Sequence, residues 1–256
     1  MDNQKIREAA MRLHQAEHLV VLTGAGVSKE SGVPTFRDAM DGLWAQFDPQ
    51  ELATPAAFKA NPKMVWDWYE YRRTLVNKVK PNKGHLAIAA LEDMLPEVVV
   101  ITQNIDGLHQ AAGSSDVIAL HGDIRRHKCS DNCEGDPTLI DISKLEWDRE
   151  SGPPPCPHCG KNVRPDVVWF TERLPLDALN RANDLSSKAD VMLVVGTSGL
   201  VQPAASMPYR TKRWNSGFII DVNPQEDTIT PLADLYINAP SGEALPLIVR
   251  AMREAR

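Results

Sequence analysis

The stretch Val20-Val21-Leu22-Thr23-Gly24-Ala25-Gly26-Val27-Ser28 constrains the fold more than any other part of the chain. Three apolar residues and a β-branched threonine lead without a break into two glycines one residue apart. A run with no polar face suits a central strand of a parallel sheet, covered by helices on both sides. The glycines that end it let backbone N–H groups come close to an anion, so a phosphate cradle is one reading of the loop. A plain strand-to-helix turn is the other. The full Gly-x-Gly-x-x-Gly fingerprint is not met, because Lys29 stands at the third glycine position. No carboxylate closes an obvious second strand about 20 residues on, as it does in an ordinary dinucleotide-binding unit. The loop continues instead as Ser28-Lys29-Glu30-Ser31-Gly32-Val33-Pro34-Thr35-Phe36-Arg37-Asp38, long and rich in Ser, Gly and Pro.

Further apolar runs end in the same manner. Val98-Val99-Val100-Ile101-Thr102 runs into Gln103-Asn104-Ile105-Asp106, and a short strand near Val117 to Leu120 runs into His121-Gly122. Later, Val191 to Val195 ends in Gly196-Thr197-Ser198, and Phe218-Ile219-Ile220 in Asp221-Val222-Asn223-Pro224. Ligands of open α/β sheets gather at the carboxyl ends of strands, where Asn and Gln can bond ribose hydroxyls or a carboxamide. Any one of these residues, taken singly, also fits a turn chosen for its geometry. Apolar spacing predicts helices over 4–16, 62–79 and 83–95, the second entered by Pro62. Residues 35–60 have no strong period and read as a loop with short helical pieces, as a cofactor lid does.

All four cysteines lie between 129 and 159. Cys129 and Cys133 are separated by three residues, Cys156 and Cys159 by two, with 22 residues between the pairs. Paired knuckles of this kind close a tetrahedral thiolate site, so the spacing predicts one structural zinc in a ribbon inserted into the chain. His127 and His158 lie close enough in sequence to replace a thiolate. A net charge of −6 argues against nucleic-acid binding through the overall field. Within the cysteine module basic and acidic residues roughly cancel, which leaves a nucleic-acid-binding ribbon as a minor reading. No run reaches the roughly 18 apolar residues of a membrane span, and the charged start of the chain lacks an apolar signal region. The expected location is cytosolic.

Taken together, Gly24-Ala25-Gly26-Val27-Ser28 with Ser31-Gly32-Val33-Pro34-Thr35-Phe36-Arg37, then Thr102-Gln103-Asn104-Ile105-Asp106, His121-Gly122, the cysteine pairs, Gly196-Thr197-Ser198 and Val222-Asn223 resemble the sirtuin family in order and spacing. Two departures stand out: Thr35 where many members carry Asp, and a first knuckle of the Cys-x₃-Cys form. The resemblance implies NAD-dependent removal of acyl groups from lysines of protein substrates, through an O-alkylimidate, giving nicotinamide and 2′-O-acyl-ADP-ribose. NAD is then consumed as a co-substrate, which accounts for the missing hydride-transfer features. It also implies a Rossmann-like, doubly wound domain of 1–35, 83–122 and 167–256, with a smaller domain formed by the helical segment 36–82 and the zinc ribbon 123–166. An NAD glycohydrolase or mono-ADP-ribosyltransferase would share the pocket and differ in the acceptor.

Carried onto this chain, the resemblance places Gly24, Ala25, Gly26, Glu30, Phe36 and Arg37 in the NAD pocket, and Gln103, Asn104 and Asp106 around the nicotinamide ribose and carboxamide. Gly196, Thr197, Ser198 and Asn223 would hold the adenosine half. His121 resembles the general base, and Val167, Trp169 and Phe170 the segment that pairs with the substrate peptide as an added strand. Tyr69 and Arg72, three residues apart on the predicted 62–79 helix, share a face and could grip one carboxylate. Their Tyr-x-x-Arg spacing resembles the sirtuins that prefer succinyl- or malonyl-lysine, with Ala39 as the small residue that leaves such a pocket roomy. Arg73 is the rival for the guanidinium.

Overall fold

The computed structural model describes residues 2–33 and 48–255. They fall into two compact units, Met1–Thr35 with Lys80–Leu120 and Pro175–Arg256, and Phe36–Val79 with His121–Leu174. The strands are β1 (His18–Thr23), β2 (Glu97–Thr102), β3 (Val117–Ala119), β4 (Gly122–Cys129), β5 (Val163–Val167), β6 (Val191–Val195), β7 (Phe218–Val222) and β8 (Leu235–Ile237). The helices are α1 (Asn3–His14), α2 (Ala25–Lys29), α3 (Pro49–Leu52), α4 (Pro55–Ala60), α5 (Pro62–Val76), α6 (Lys83–Leu91), α7 (Leu108–Ala112), α8 (Leu176–Lys188), α9 (Met207–Asn215) and α10 (Ser241–Glu254).

In the first unit six strands pair in parallel in the order β3-β2-β1-β6-β7-β8. Counting only these strands along the chain, the order is 3-2-1-4-5-6, that of a doubly wound Rossmann-like sheet. Alternate side chains explain the continuous apolar runs. Leu19 and Val21 of β1 join Leu193 and Val195 of β6 in a core with Leu13 of α1, Ile88 of α6 and Ile248 of α10. On the other face α8 and α9 pack against β1, β3, β6 and β7, so Val20, Leu22, Met192 and Val194 are buried as well. Each such Val or Leu contributes about 1.5 to 3 kcal/mol by leaving water.

Local capping sets where several helices begin. The Asp2 carboxylate accepts from Gln4 N at 2.9 Å at the start of α1, and Asn61 Oδ1 accepts from Met64 N at 3.1 Å where Pro62 opens α5. Asn82 and His85 form a reciprocal capping box on α6. Helix α10 has no cap from its own N-terminal residue. Its Gly242 N and Ser241 Oγ donate to Glu30 Oε1, at 2.8 and 3.1 Å. A carboxylate there also complements the positive end of a 14-residue helix.

The second unit is built on the antiparallel pair β4 and β5, whose register aligns Gly122 with Val167 and Cys129 with Val163. Its small core gathers Trp66 of α5 with Cys129, Ile140, Cys156 and Val163, and Ile142, Leu145 and Trp147 pack against them. Helix α5 ends at Val76 and α6 at Leu91, each shorter than the apolar spacing predicts. Residues 49–60 hold the short helices α3 and α4. No described helix is long and apolar enough to cross a membrane.

Candidate active site and metal centre

In the first unit the carboxyl ends of β1, β2, β6 and β7 carry most of the residues the sequence points to. Strand order reverses between β1 and β6, the position at which open α/β sheets hold ligands. The loops leaving those two strands touch through their backbones. Gly24 N donates to Val195 O at 3.2 Å and Gly26 N to Gly196 O at 2.8 Å. A Cβ on Gly26 would lie 2.7 Å from Gly196 Cα, and Gly196 itself holds a left-handed φ of +59° with its missing Cβ aimed at Val27 N. The glycines are needed for this contact between loops. Two of the N–H groups that an anion cradle would use have backbone partners instead.

Side chains tie the other strand ends to the same two loops. Gln103 Nε2 donates to Thr197 Oγ1 at 2.9 Å, and Asn104 Nδ2 donates to Gly24 O at 3.0 Å and Ser28 Oγ at 3.1 Å. Asn223 Nδ2 donates to Thr197 O at 3.0 Å. Ser198 O accepts from Thr228 Oγ1, and half-buried Ala25 opens α2. Asp106 is buried, with Oδ2 accepting from Ser28 Oγ at 2.7 Å and Oδ1 from Leu108 N at 2.9 Å. Glu30 follows α2 and bonds the start of α10 through Oε1. Phe36 and Arg37, with Ala39, lie outside the described residues.

Beneath these groups is a buried polar network that sequence reasoning passed over. His85 Nδ1 accepts from Asn82 N, so its Nε2 carries the proton and faces Ser28 Oγ at 3.4 Å. His109 Nε2 bonds Thr23 Oγ1 at 2.9 Å, Thr23 Oγ1 donates to Thr102 Oγ1 at 2.8 Å, and the two imidazole rings stand 4.9 Å apart. Burial pushes His85 down to about 4, against a smaller opposing effect from Glu30. Burial, with His85 as a second cause, takes His109 to about 3. Both are neutral at pH 7. The available signal was weak: each histidine interrupts an otherwise apolar helix, a pattern an ordinary core histidine also gives.

In the second unit the four cysteine sulfurs lie within 4.8 Å of one another. Cys129 and Cys159 are 3.5 Å apart and Cys133 and Cys156 3.8 Å. A tetrahedron with zinc–sulfur bonds of about 2.3 Å has edges of about 3.8 Å, so the thiolates fit zinc. Burial opposes a charge on Cys129, yet the N–H groups of Cys133 and Asp131 hold its thiol down at about 7. No histidine joins the cluster: His158 Nδ1 pairs with Glu134 at 3.0 Å, and His127 packs on Trp66 with ring centroids 5.4 Å apart.

The same unit brings together the residues proposed for the base and the substrate. His121 O accepts from Val168 N at 2.9 Å. Gly122 makes this possible, since at φ +85° any Cβ would strike Asp166 O on β5. Val167 and Trp169 are buried and Phe170 is exposed. The N–H groups of Trp169 and Phe170 also have partners, Glu172 Oε2 at 2.8 Å and Ala53 O at 2.9 Å. Trp169 Nε1 donates to Tyr69 Oη at 2.9 Å, and the Arg72 guanidinium lies 4.8 Å from the Trp68 ring centroid and 5.8 Å from that of Tyr69. Arg73 is committed elsewhere, with Nε donating to Ile124 O at 2.6 Å and Nη1 to Glu70.

Comparison with known proteins bears on this arrangement. The family described as Sir2 matches residues 24–203. The chain is 50% identical over 238 residues to NAD-dependent protein deacylase 1 of Caldanaerobacter subterraneus subsp. tengcongensis, covering 92% of this chain and 93% of that protein. A crystal structure of a Sir2 homologue–NAD complex superposes with a TM-score of 0.87 at 43% identity, covering 100% and 95% of the two chains. A structure of Sir2 bound to acetylated peptide gives a TM-score of 0.83 at 33% identity over 98% of each.

Two expected outcomes follow from this geometry. A zinc ion held by four thiolates contributes directly to folding, so metal analysis is expected to find about one zinc per chain. Cys129→Ala should lower both zinc content and thermal stability. The buried histidines titrate below their unfolded value of about 6.5, so their contribution is complete above that pH and is lost as pH falls toward 4 and then 3. Urea midpoints measured from pH 7 to pH 4.5 should therefore fall less steeply for His109→Gln than for the wild type. Parallel curves would remove the buried histidine from that account.

Proposed function

We propose, for a chain that belongs to the Sir2 family and is an NAD-dependent protein deacylase, that its preferred substrates are lysines bearing succinyl or malonyl groups. NAD is the co-substrate, and the four thiolates fit a structural zinc. The observation that carries the acyl preference is the setting of Arg72. Arg72 is half-buried as a residue, its guanidinium lies against the Trp68 and Tyr69 rings, and burial lowers its pKa, an effect that Tyr69 opposes. A carboxylate at the end of a short acyl chain matches such a guanidinium in charge and in planar donor geometry.

Tyr69 completes the proposed grip. Its phenol oxygen accepts from Trp169 Nε1, which leaves its own O–H to donate. Burial raises it to about 12, so it keeps that proton at working pH even though Arg72 pulls the other way. A planar guanidinium and a phenol together offer the donors that a carboxylate takes and an acetyl methyl group does not. Trp169 also joins Tyr69 to the 167–170 segment proposed for the peptide, so acyl group and peptide would be read by connected parts of one unit.

When bound, NAD supplies a ribose carbon made electrophilic by departure of nicotinamide. The chain then has to orient the acyl-lysine and move a proton. His121 is the proposed base for a ribose hydroxyl, since imidazole ionises near neutral pH. Gln103, Asn104 and Asp106 would surround the nicotinamide end of NAD, and Gly196, Thr197, Ser198 and Asn223 the adenosine end. The products on this reading are nicotinamide, the free lysine and 2′-O-acyl-ADP-ribose.

A panel of succinyl-, malonyl- and acetyl-lysine peptides assayed with NAD tests the preference. Arg72→Met is expected to lower kcat/KM for desuccinylation by about 10- to 150-fold, the worth of charge-assisted hydrogen bonds of roughly 1.5 to 3 kcal/mol, and to leave deacetylation nearly unchanged. Equal losses on both substrates, or a strong wild-type preference for acetyl-lysine, would leave a general deacylase. His121→Ala should retain NAD binding in a titration and lose about 10² to 10⁴ in turnover on every peptide. Near wild-type turnover would remove it as the base.

A further inference from the structure

The loop after β7 carries a run of hydrogen bonds that the proposed roles above leave unexplained. Asn223 Nδ2 donates to Thr197 O at 3.0 Å and also to Asp227 Oδ2 at 2.8 Å. A carbonyl and a carboxylate, both pure acceptors, fix the amide orientation, because its oxygen could bond neither. Both amide hydrogens are engaged, and Oδ1 remains as the acceptor. Among the described residues no group donates to it.

Asp227 is itself pinned. Its Oδ1 accepts from Ile229 N at 2.6 Å and Thr230 N at 3.2 Å, while its own N–H donates to Thr230 Oγ1 at 3.0 Å. Thr230 Oγ1 in turn donates to Asp221 Oδ2 at 2.7 Å. Asp221 is fully buried in β7, with its other oxygen unpartnered among the described residues. The run therefore passes from a buried anchor, through the loop, to Asn223, Thr197 and Gln103 at the strand ends. Among the described residues no lysine or arginine bonds to Asn223, Asp227 or Thr230.

We propose that Asp227 sets the choice of NAD over NADP by holding Asn223 so that the adenosine end of the site presents an acceptor oxygen beside a carboxylate. This rests on the reading of Asn223 as an adenosine-side residue. Such a surface takes the hydroxyls of a ribose and repels a 2′-phosphate. Doubly wound enzymes that accept the phosphate place an arginine where those that reject it place an acid. Here the acid works one residue removed, through the amide it orients, so Asp227 is a positioning residue.

Isothermal titration of NAD, NADP and ADP-ribose onto wild type, Asp227→Asn and Asp227→Ser, with a thermal melt of each, tests the proposal without any turnover assay. The wild type is expected to bind NAD about 100-fold or more tighter than NADP, the scale of a like-charge penalty. In Asp227→Asn an amide nitrogen can face Asn223 Nδ2 and turn the Asn223 amide, so the NAD-to-NADP ratio should fall by about 10-fold or more. Asp227→Ser keeps a hydroxyl for the Ile229 and Thr230 N–H groups, loses the acceptor for Asn223, and should lower the ratio likewise if the first variant folds poorly. A ratio unchanged in both variants, with NAD and NADP weakened equally or not at all, would make Asp227 a loop-stabilising residue and overturn the proposal. A wild type that binds neither NAD nor ADP-ribose would overturn the underlying reading instead.

Discussion

The approach of two backbones, the 24–26 segment after β1 and Gly196 after β6, is the constraint on which the proposed NAD site depends. Adjacent parallel strands leave their loops about 4.8 Å apart, too close for ordinary side chains where the chains turn opposite ways. Here the contact is made by Gly26 N on Gly196 O, at a spacing that admits no Cβ on either partner. Everything else at those strand ends hangs from the same loops. Asn104 bonds Gly24 O, Gln103 bonds the Thr197 hydroxyl and Asn223 bonds the Thr197 carbonyl. Adding one methyl group at residue 196 would move the frame that orients three side chains.

The second unit relies on a different kind of support. Its core cluster joins Trp66 and Val163 to Cys129 and Cys156, so two of the four thiols that fit zinc are also core residues. A core of that size contributes little by itself, and small modules of this kind take a metal as a staple. The 164–172 segment is held by charge. Arg164 is buried and bonds Glu172 at 2.6 and 2.9 Å and Val167 O at 2.7 Å, with its guanidinium over the Trp169 ring. Burial opposes the Glu172 charge, yet the Arg164 bonds hold its carboxyl below the usual value. Removing Glu172 would leave the buried Arg164 guanidinium without its carboxylate partner.

Much of this was legible in the sequence because it is local. The carboxyl ends of β1 and β2 follow from where unbroken apolar runs stop, and so do the loops of the proposed site that leave them. The cysteine spacing is also local, and the structure brings all four sulfurs together. What was missed is nonlocal. Glu30 acts as the cap of α10, some 211 residues away, and no local pattern reports a helix end capped from another segment. The neutral histidines His85 and His109 are recognisable only once α6 and α7 are packed. The glycines of the first loop signalled close approach correctly, but the approaching group in this structure is another backbone. Helix α10 and the short strand β8 went unread because Pro246 interrupts the helix and three residues are too few for a period.

Arg72 and Arg73 show how neighbouring residues of one type divide two tasks by position on a helix. Both lie within a turn of Tyr69, at three and four residues, so spacing alone could not choose between them. The structure separates them through what each can reach. Arg73 turns toward β4, where Ile124 O and Glu70 take its donors, and burial still depresses it to about 10. It is a strut between a helix and a strand. Arg72 instead lies along the Trp68 and Tyr69 rings, where the aromatic faces attract the cation but supply no acceptor lone pairs. Stacking of this kind holds a guanidinium in place while leaving its edge chemistry suited to a planar anion. On the proposed reading the discrimination would lie in the acyl group itself: an acidic one can use a planar, charged donor that a neutral one cannot.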